Sequence, residues 1–379
     1  MSKKVMISAG ETSGEMYGAM LSRQLKKKWP EVEIFGIGGP RMQGEGVSLL
    51  APMSHVLGIA EAFRHLFKIK KTLNIARKAL ADQRPDVLVL IDYPDFNISL
   101  AKSARSAGIP VLYYVSPQVW AWRKGRIKKI ASLVNRMAVL FPFEVEFYRN
   151  TGLECEFVGH PVAELINEKR SIEQIKESMG IDPATRVVTI LPGSRPNEIR
   201  KHQETVIEVT KMFEKKMPDI QIVVPLVSGT VFNRKVPASV KFVYDRTVEA
   251  LACSDATAVA SGTATLQTAL VGIPMVVFYK VSPLTYVIGK LLVSVKFISL
   301  VNILSGKEIV KELIQQDASA DNVYEELKRI LHDEPYRKEM IAGLDKVKEM
   351  MKDREPSARV ADIIGEVARW KSEHNAATI

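Results

Sequence analysis

Residues 5–14 read VMISAGETSG, an apolar run that stops at Gly10 and gives way to small and hydroxylated residues. After Gly14, the apolar residues Met16, Met20, Leu21 and Leu25 return at helical spacing. Thr12 or Ser13 is placed to cap the first helical turn. The chain therefore opens as strand, Gly-bearing turn and helix. Gly10, Ser13 and Gly14 let backbone donors approach a phosphate or hydroxyl at the helix N-terminus. The spacing is neither GxGxxG nor a P-loop, and a plain tight turn capped by Ser13 uses the same residues.

The same rhythm continues outward. EIFGIGG, VLVLID, VLYYVS and RMAVLFP follow the first strand, then VVTILPG, IQIVVPLV, ATAVASG and PMVVFY, alternating with longer amphipathic stretches. Apolar runs of this length predict parallel strands covered on both faces. A charged stretch from about Glu164 to Arg186 separates the two series. From Ala318 to Trp370 strand pattern gives way to helical spacing, as in Val323, Leu327 and Ile330. At about 150 residues per domain, 379 residues make two or three. Two Rossmann-like, doubly wound α/β domains facing a central cleft are the expected architecture.

Composition narrows the class. Hydrophobic residues at 46% and charged residues at 25% describe a folded protein with a sizeable core. Cys155 and Cys253 have no Cys or His at metal-ligand spacing, which argues against a disulfide framework or a zinc site and fits a reducing cytoplasm. The N-terminus lacks the apolar core of a signal peptide. The apolar stretch from Pro283 to Leu300 carries Lys290 and Lys296, which disfavours a spanning helix. A net charge of +10 favours an anionic partner. Nucleic acid is not expected, because neither a compact basic face with stacking aromatics nor a known module is found.

Four further motifs carry candidate chemistry. LPGSR, residues 191–195, puts Gly193, Ser194 and Arg195 at a strand end, where Arg195 is suited to a diphosphate. SGTATLQTAL, residues 261–270, repeats the arrangement with Ser261, Gly262 and Thr263 opening a helix. In LIDYPDF, residues 90–96, Asp92 and Asp95 follow an apolar strand, and Asp92 is the preferred general base. Each has a bland alternative: a surface Arg, a helix cap, an Asp capping the next helix. His160 in FVGHP follows another strand and is a secondary candidate, although a lone His beside Pro is more often a junction residue satisfied by backbone. No DxD pair accompanies the diphosphate candidates, so neither a metal nor another cofactor is required. From Ile59 onward, Phe63, Leu66, Phe67 and Leu73 line one stripe and Arg64, Lys68 and Lys71 another, the pattern of an interfacial membrane helix. An ordinary surface helix is the alternative.

Together GETSGE, GIGGPRMQGEG, IDYPDFN, YYVSPQVWAWR, FPFE, FVGHP, LPGSR, IVVPLV, SGTATLQ and NILSGKEIVKEL resemble the lipid-A-disaccharide synthase family of GT-B glycosyltransferases, nearly end to end. The resemblance implies an inverting transfer from UDP-2,3-diacylglucosamine to 2,3-diacylglucosamine 1-phosphate, giving a β-1,6-linked disaccharide and UDP. It further implies a peripheral location on the cytoplasmic side of the inner membrane, contact with anionic lipids, and a homodimer. It adds Glu11 to Asp92 as catalytic candidates, and Gln267 and Asn302 to Gly193, Ser194, Arg195, Ser261, Gly262 and Thr263 as nucleotide-sugar candidates. Gly10, Ser13, Gly14 and His160 remain loop or acceptor candidates. The expected domains are 1–165, on the acceptor and membrane side, 166–354, on the UDP-sugar side, and a helix in 355–379 crossing back to the first. Two departures stand out: Glu15 where Asp is expected, and Gln267 where Glu is usual. The nearest rivals are another GT-B UDP-N-acetylglucosamine enzyme, an epimerase or the peptidoglycan transferase. A non-catalytic lipid-binding protein is a third reading.

Overall fold

Every strand pairing among the described residues is parallel. The computed structural model describes residues 2–52, 62–117, 125–166, 170–281 and 296–370. The VWAWR end of the aromatic motif, most of the apolar run from Pro283, and the side chains of Thr12, Phe63 and Arg64 lie outside the described residues. The chain divides into two compact units, Met1–Pro161 with Asp353–Ile379, and Val162–Lys352.

In the first unit, strands β1 (Lys4–Ala9), β2 (Glu33–Gly38), β3 (Ser48–Pro52), β4 (Val87–Ile91), β5 (Val111–Tyr114), β6 (Arg136–Val139) and β7 (Glu154–Phe157) form one sheet in the order β3-β2-β1-β4-β5-β6-β7. The second holds β8 (Arg186–Leu191), β9 (Ile220–Leu226), β10 (Lys241–Tyr244), β11 (Ala256–Ala260), β12 (Met275–Tyr279) and β13 (Glu312–Ile314), ordered β10-β9-β8-β11-β12-β13. Strand order reverses between β1 and β4 in one sheet and between β8 and β11 in the other. Loops leaving two such neighbours diverge to opposite faces, and the crevice between them is where open α/β sheets take ligands.

Central strands are buried throughout because helices cover both faces: all of β4, β5 and β11 is buried. Past Ala318 the chain is helical, as Ala320–His332, Glu334–Met351 and Pro356–Val367. The last of these belongs to the first unit and packs on the Thr12–Lys28 helix. Its attachment is specific. Arg359 forks onto Glu156 at 2.7 and 2.8 Å, holding that carboxyl below its ordinary range. Trp370 meets Trp29 edge-on, with centroids 4.9 Å apart. Gly159, at φ +95°, makes the crossing possible, since a Cβ there would stand 2.9 Å from Arg354 Cβ.

Candidate active site

At the first reversal, β1 runs into Gly10 and Glu11 while β4, paired Ala9 to Ile91, runs into Asp92. Glu11 takes the N-cap position of the Thr12–Lys28 helix, so Ser13 lies inside the first turn and is not its N-cap. Asp92 and Tyr93 both adopt left-handed backbone, at φ +49° and +48°. Such residues cost about 1–3 kcal/mol each and persist only where their surroundings hold them. Here the holding group is Asn97, fully buried on the Pro94–Ser106 helix. Its Nδ2 donates to the carbonyls of Asp92 (2.7 Å) and Ile91 (3.2 Å), and its Oδ1 accepts from Ser8 Oγ at 2.7 Å. Tyr113 donates its hydroxyl to the Asp92 carbonyl at 2.7 Å. Burial, and then the Asp92 charge, push the Tyr113 phenol far above its ordinary range, so it stays a donor.

The turn also explains Gly10: a Cβ there would lie 2.2 Å from Tyr93 Cγ. The Tyr93 ring stacks on Phe96 at 5.1 Å. Burial raises its phenol, with the Glu11 charge adding to the effect. Glu11, Asp92 and Tyr93 thus gather at one strand-end crevice. Asp92 does not cap the next helix, whose N-cap is Tyr93. Asn97, Tyr93 and Tyr113 were not singled out from the sequence. An Asn on the buried face of a helix was the available signal for the first.

His160 is buried. It is 2% exposed, between the rings of Tyr17 (5.7 Å) and Phe141 (5.6 Å), and burial lowers its imidazole to about 3. Apolar surroundings disfavour the cation, so it packs as a neutral ring.

In the second unit the LPGSR and SGTAT loops leave adjacent strands, β8 and β11, at the second reversal. Gly193 and Gly262 take φ +116° and +112°. Arg195 is the N-cap of the Pro196–Lys216 helix. Glu198 Oε2 accepts from the Ser194 and Arg195 N–H groups at 3.2 and 3.3 Å, and its Oε1 meets Arg195 Nη1 at 3.1 Å and the Tyr279 hydroxyl at 3.4 Å. The carboxylate thereby steers an otherwise exposed guanidinium. Gly262 is the N-cap of Thr263–Val271, and Ser261 Oγ donates to the Ile298 carbonyl at 2.9 Å. Gln267 is half-buried one turn further on.

Asn302, a nucleotide-sugar candidate, sits behind the SGTAT loop. It is fully buried: its Nδ2 donates to the Val310 carbonyl (2.8 Å) and Glu312 Oε1 (2.9 Å), and its Oδ1 accepts from the Ile309 and Val310 N–H groups at 2.7 and 3.1 Å. A carboxamide has about four hydrogen-bonding positions, and all are spent. Glu312 also accepts from Ile298 N–H and Ser299 N–H, each at 2.9 Å. Asn302 therefore braces the segment that Ser261 leans on.

The family model described as lipid-A-disaccharide synthetase matches residues 5–362. The chain belongs to the lipid-A-disaccharide synthetase family. It is 44% identical over 374 residues to the lipid-A-disaccharide synthase of Geobacter sulfurreducens, covering 97% of each. It is 36% identical over 373 residues to that of Myxococcus xanthus, covering 96% of this chain and 97% of the relative. Membership makes it a glycosyltransferase of lipid A biosynthesis. Among solved structures it resembles CalG4, the calicheamicin glycosyltransferase, with TM-score 0.63 and 13% identity over 100% of both chains. It also resembles the UDP-GlcNAc 2-epimerase from Neisseria meningitidis bound to UDP-GlcNAc, with TM-score 0.60 and 12% identity over 97% and 100%. At such identities the likeness speaks for the GT-B fold alone.

Glu15 is 6% exposed and accepts from the Arg41 N–H at 2.9 Å. It closes the start of the Pro40–Gly44 helix. No helix among the described residues is long and apolar enough to cross a membrane. On the Ala62–Gln83 helix, Phe67 is 78% exposed beside exposed Lys68 and Lys71, while Leu73 and Ile69 pack on the core. Among the described residues no three His, Cys, Asp or Glu side chains gather as a metal site.

Proposed function

We propose that the chain transfers 2,3-diacylglucosamine from its UDP derivative onto the 6-hydroxyl of 2,3-diacylglucosamine 1-phosphate, with inversion and release of UDP. The near-full-length family match carries the proposal. Asp92 takes the proton of the attacking hydroxyl, a role worth about 10²–10⁴-fold in rate. Glu11 stands beside it to orient the acceptor, with Gly10, Ser13 and Gly14 shaping the loop. In the second unit Gly193, Ser194 and Arg195 meet the diphosphate, and Ser261, Gly262 and Thr263 add small-residue N–H donors. Gln267 accepts from a ribose hydroxyl without the strength of a charged acceptor.

Both sugars carry acyl chains that favour a bilayer over water. Exposed Phe67 amid Lys68 and Lys71, with Phe63 and Arg64 on the same helix, would seat the enzyme on anionic inner-membrane lipid from the cytoplasmic side. Assembly as a homodimer belongs to the same proposal and is checked by light scattering.

The test is incubation with both lipids in detergent and EDTA, for the native and Asp92→Ala proteins, following UDP and disaccharide by mass spectrometry. Disaccharide from the native protein alone is expected. No product from the native protein, even after Mg²⁺ is restored, would refute the assignment.

A further inference from the structure

His202 lies two turns into the Pro196–Lys216 helix and is fully buried. Its Nδ1 is 2.7 Å from the Pro192 carbonyl, and its Nε2 is 2.9 Å from the Lys280 backbone nitrogen. An N–H can only donate, so Nε2 must be the lone-pair nitrogen and Nδ1 must carry the proton. A neutral imidazole is the side chain that donates from one edge and accepts at the other. Burial favours that neutral form.

The two bonded positions open the loops after β8 and β12, strands that β11 keeps apart. The ring lies against Phe278 and Tyr279, with centroids at 5.1 and 5.4 Å. Two more contacts lock the same strand end to the same helix: Tyr279 hydroxyl to Glu198, at 3.4 Å, and Lys280 Nζ to Thr205 Oγ1, at 2.9 Å.

The consequence follows from one peptide plane. Pro192 C=O and Gly193 N–H belong to the same trans peptide, so they point in opposite directions. Drawing the carbonyl in toward His202 turns the Gly193 N–H to the opposite side, away from His202. The neighbouring Ser194 and Arg195 N–H groups are taken by Glu198. Among the described residues no acceptor is paired with the Gly193 N–H.

We propose that His202 is a positioning residue for the nucleotide: by holding the Pro192 carbonyl it aims the Gly193 N–H at the diphosphate of the UDP-sugar. This rests on the assignment of LPGSR to the diphosphate. His202 itself touches neither substrate nor product.

The experiment measures UDP binding by calorimetry, and KM and kcat for each substrate, in the native protein and in His202→Leu, His202→Asn and His202→Gln. Asn places an amide donor near the Nδ1 position, whereas Gln places an acceptor near Nε2. His202→Leu is expected to weaken UDP binding and raise the donor KM about tenfold, the scale of one well-placed hydrogen bond. The acceptor KM and kcat should stay within about twofold. His202→Asn should restore most of the nucleotide affinity and His202→Gln little. Equal rescue by both, or native nucleotide affinity in the Leu variant with only a lower melting temperature, would overturn the proposal. If the Leu variant does not fold, the Asn and Gln pair decides alone. Failure of the native protein to bind UDP would overturn the diphosphate assignment itself, and the native titration shows that separately.

Discussion

Replacing Asn97 by Ala tests how the first unit holds its candidate base. The native side chain makes two good hydrogen bonds, to the Asp92 carbonyl and from Ser8 Oγ, and two longer ones to the Ile91 and Ser8 carbonyls. At about 1 kcal/mol net for each, and more where a buried partner is stranded, the loss should be about 3–5 kcal/mol. Ser8→Ala removes only the bond from the Ser8 hydroxyl, leaving Asn97 Oδ1 without it, and should cost about 1–3 kcal/mol. The two variants should also separate in activity. Without Asn97 the left-handed backbone at Asp92 and Tyr93 loses its main support, and relief of about 1–3 kcal/mol of strain per residue favours relaxation. A displaced base forfeits the 10²–10⁴-fold of general-base catalysis. The assay is kcat at a temperature where circular dichroism shows each variant folded, with UDP binding as a control on the second unit. We expect Asn97→Ala to lose at least about 100-fold in kcat with UDP affinity intact, and Ser8→Ala to lose less than about threefold. An Asn97→Ala protein that is destabilised yet keeps native kcat would refute the idea that Asn97 sets the Asp92 geometry.

Gly10→Ala should be inactive or poorly folded, because its methyl would stand 2.2 Å from Tyr93 Cγ; thermal melts and turnover check this, and native behaviour would mean the turn relaxes freely. Since burial holds the folded His160 imidazole at about 3, against an ordinary value near 6.5, the unfolded chain binds the proton first as pH falls below about 6.5. The His160 contribution to stability should therefore shrink by about 3 kcal/mol between pH 7 and pH 4, and comparing denaturant melts of native and His160→Phe proteins across that range should show the Phe variant with the flatter dependence. Phe67→Glu should weaken sedimentation with anionic vesicles about tenfold, the scale of one aromatic ring removed from an apolar phase, with turnover on detergent-dispersed substrates unchanged; undiminished sedimentation would place the docking face elsewhere. Gln267→Glu should tighten UDP binding about fivefold if this position faces the ribose, and calorimetry showing no change would exclude that contact.

The nine apolar runs quoted from the sequence became β1, β2, β4, β5, β6, β8, β9, β11 and β12, because strands covered on both faces must be apolar along their whole length. The four strands outside those runs, β3, β7, β10 and β13, are the four sheet edges. SLLAP, ECEF, KFVY and ELI are short, mixed in polarity or charged, and half exposed, as edges that must avoid pairing with other chains tend to be. Loop chemistry was legible for a similar reason: Gly10, Gly193 and Gly262 stand where strand-to-helix turns need a missing side chain, and the carboxyl ends of those strands follow from the βαβ order. Burial was not legible. Asn302 and His160 carry polar groups that suit a ligand, and only the packed structure shows both to be buried. Asn97, Glu198 and His202 act through partners between 3 and 89 residues away. Sequence thus determined the two sheets and the strand ends where chemistry can occur, since both follow from local polarity and chain direction. Which polar side chains face those ends, and which are consumed in holding them, was decided only when distant segments packed and each buried donor had to find its acceptor.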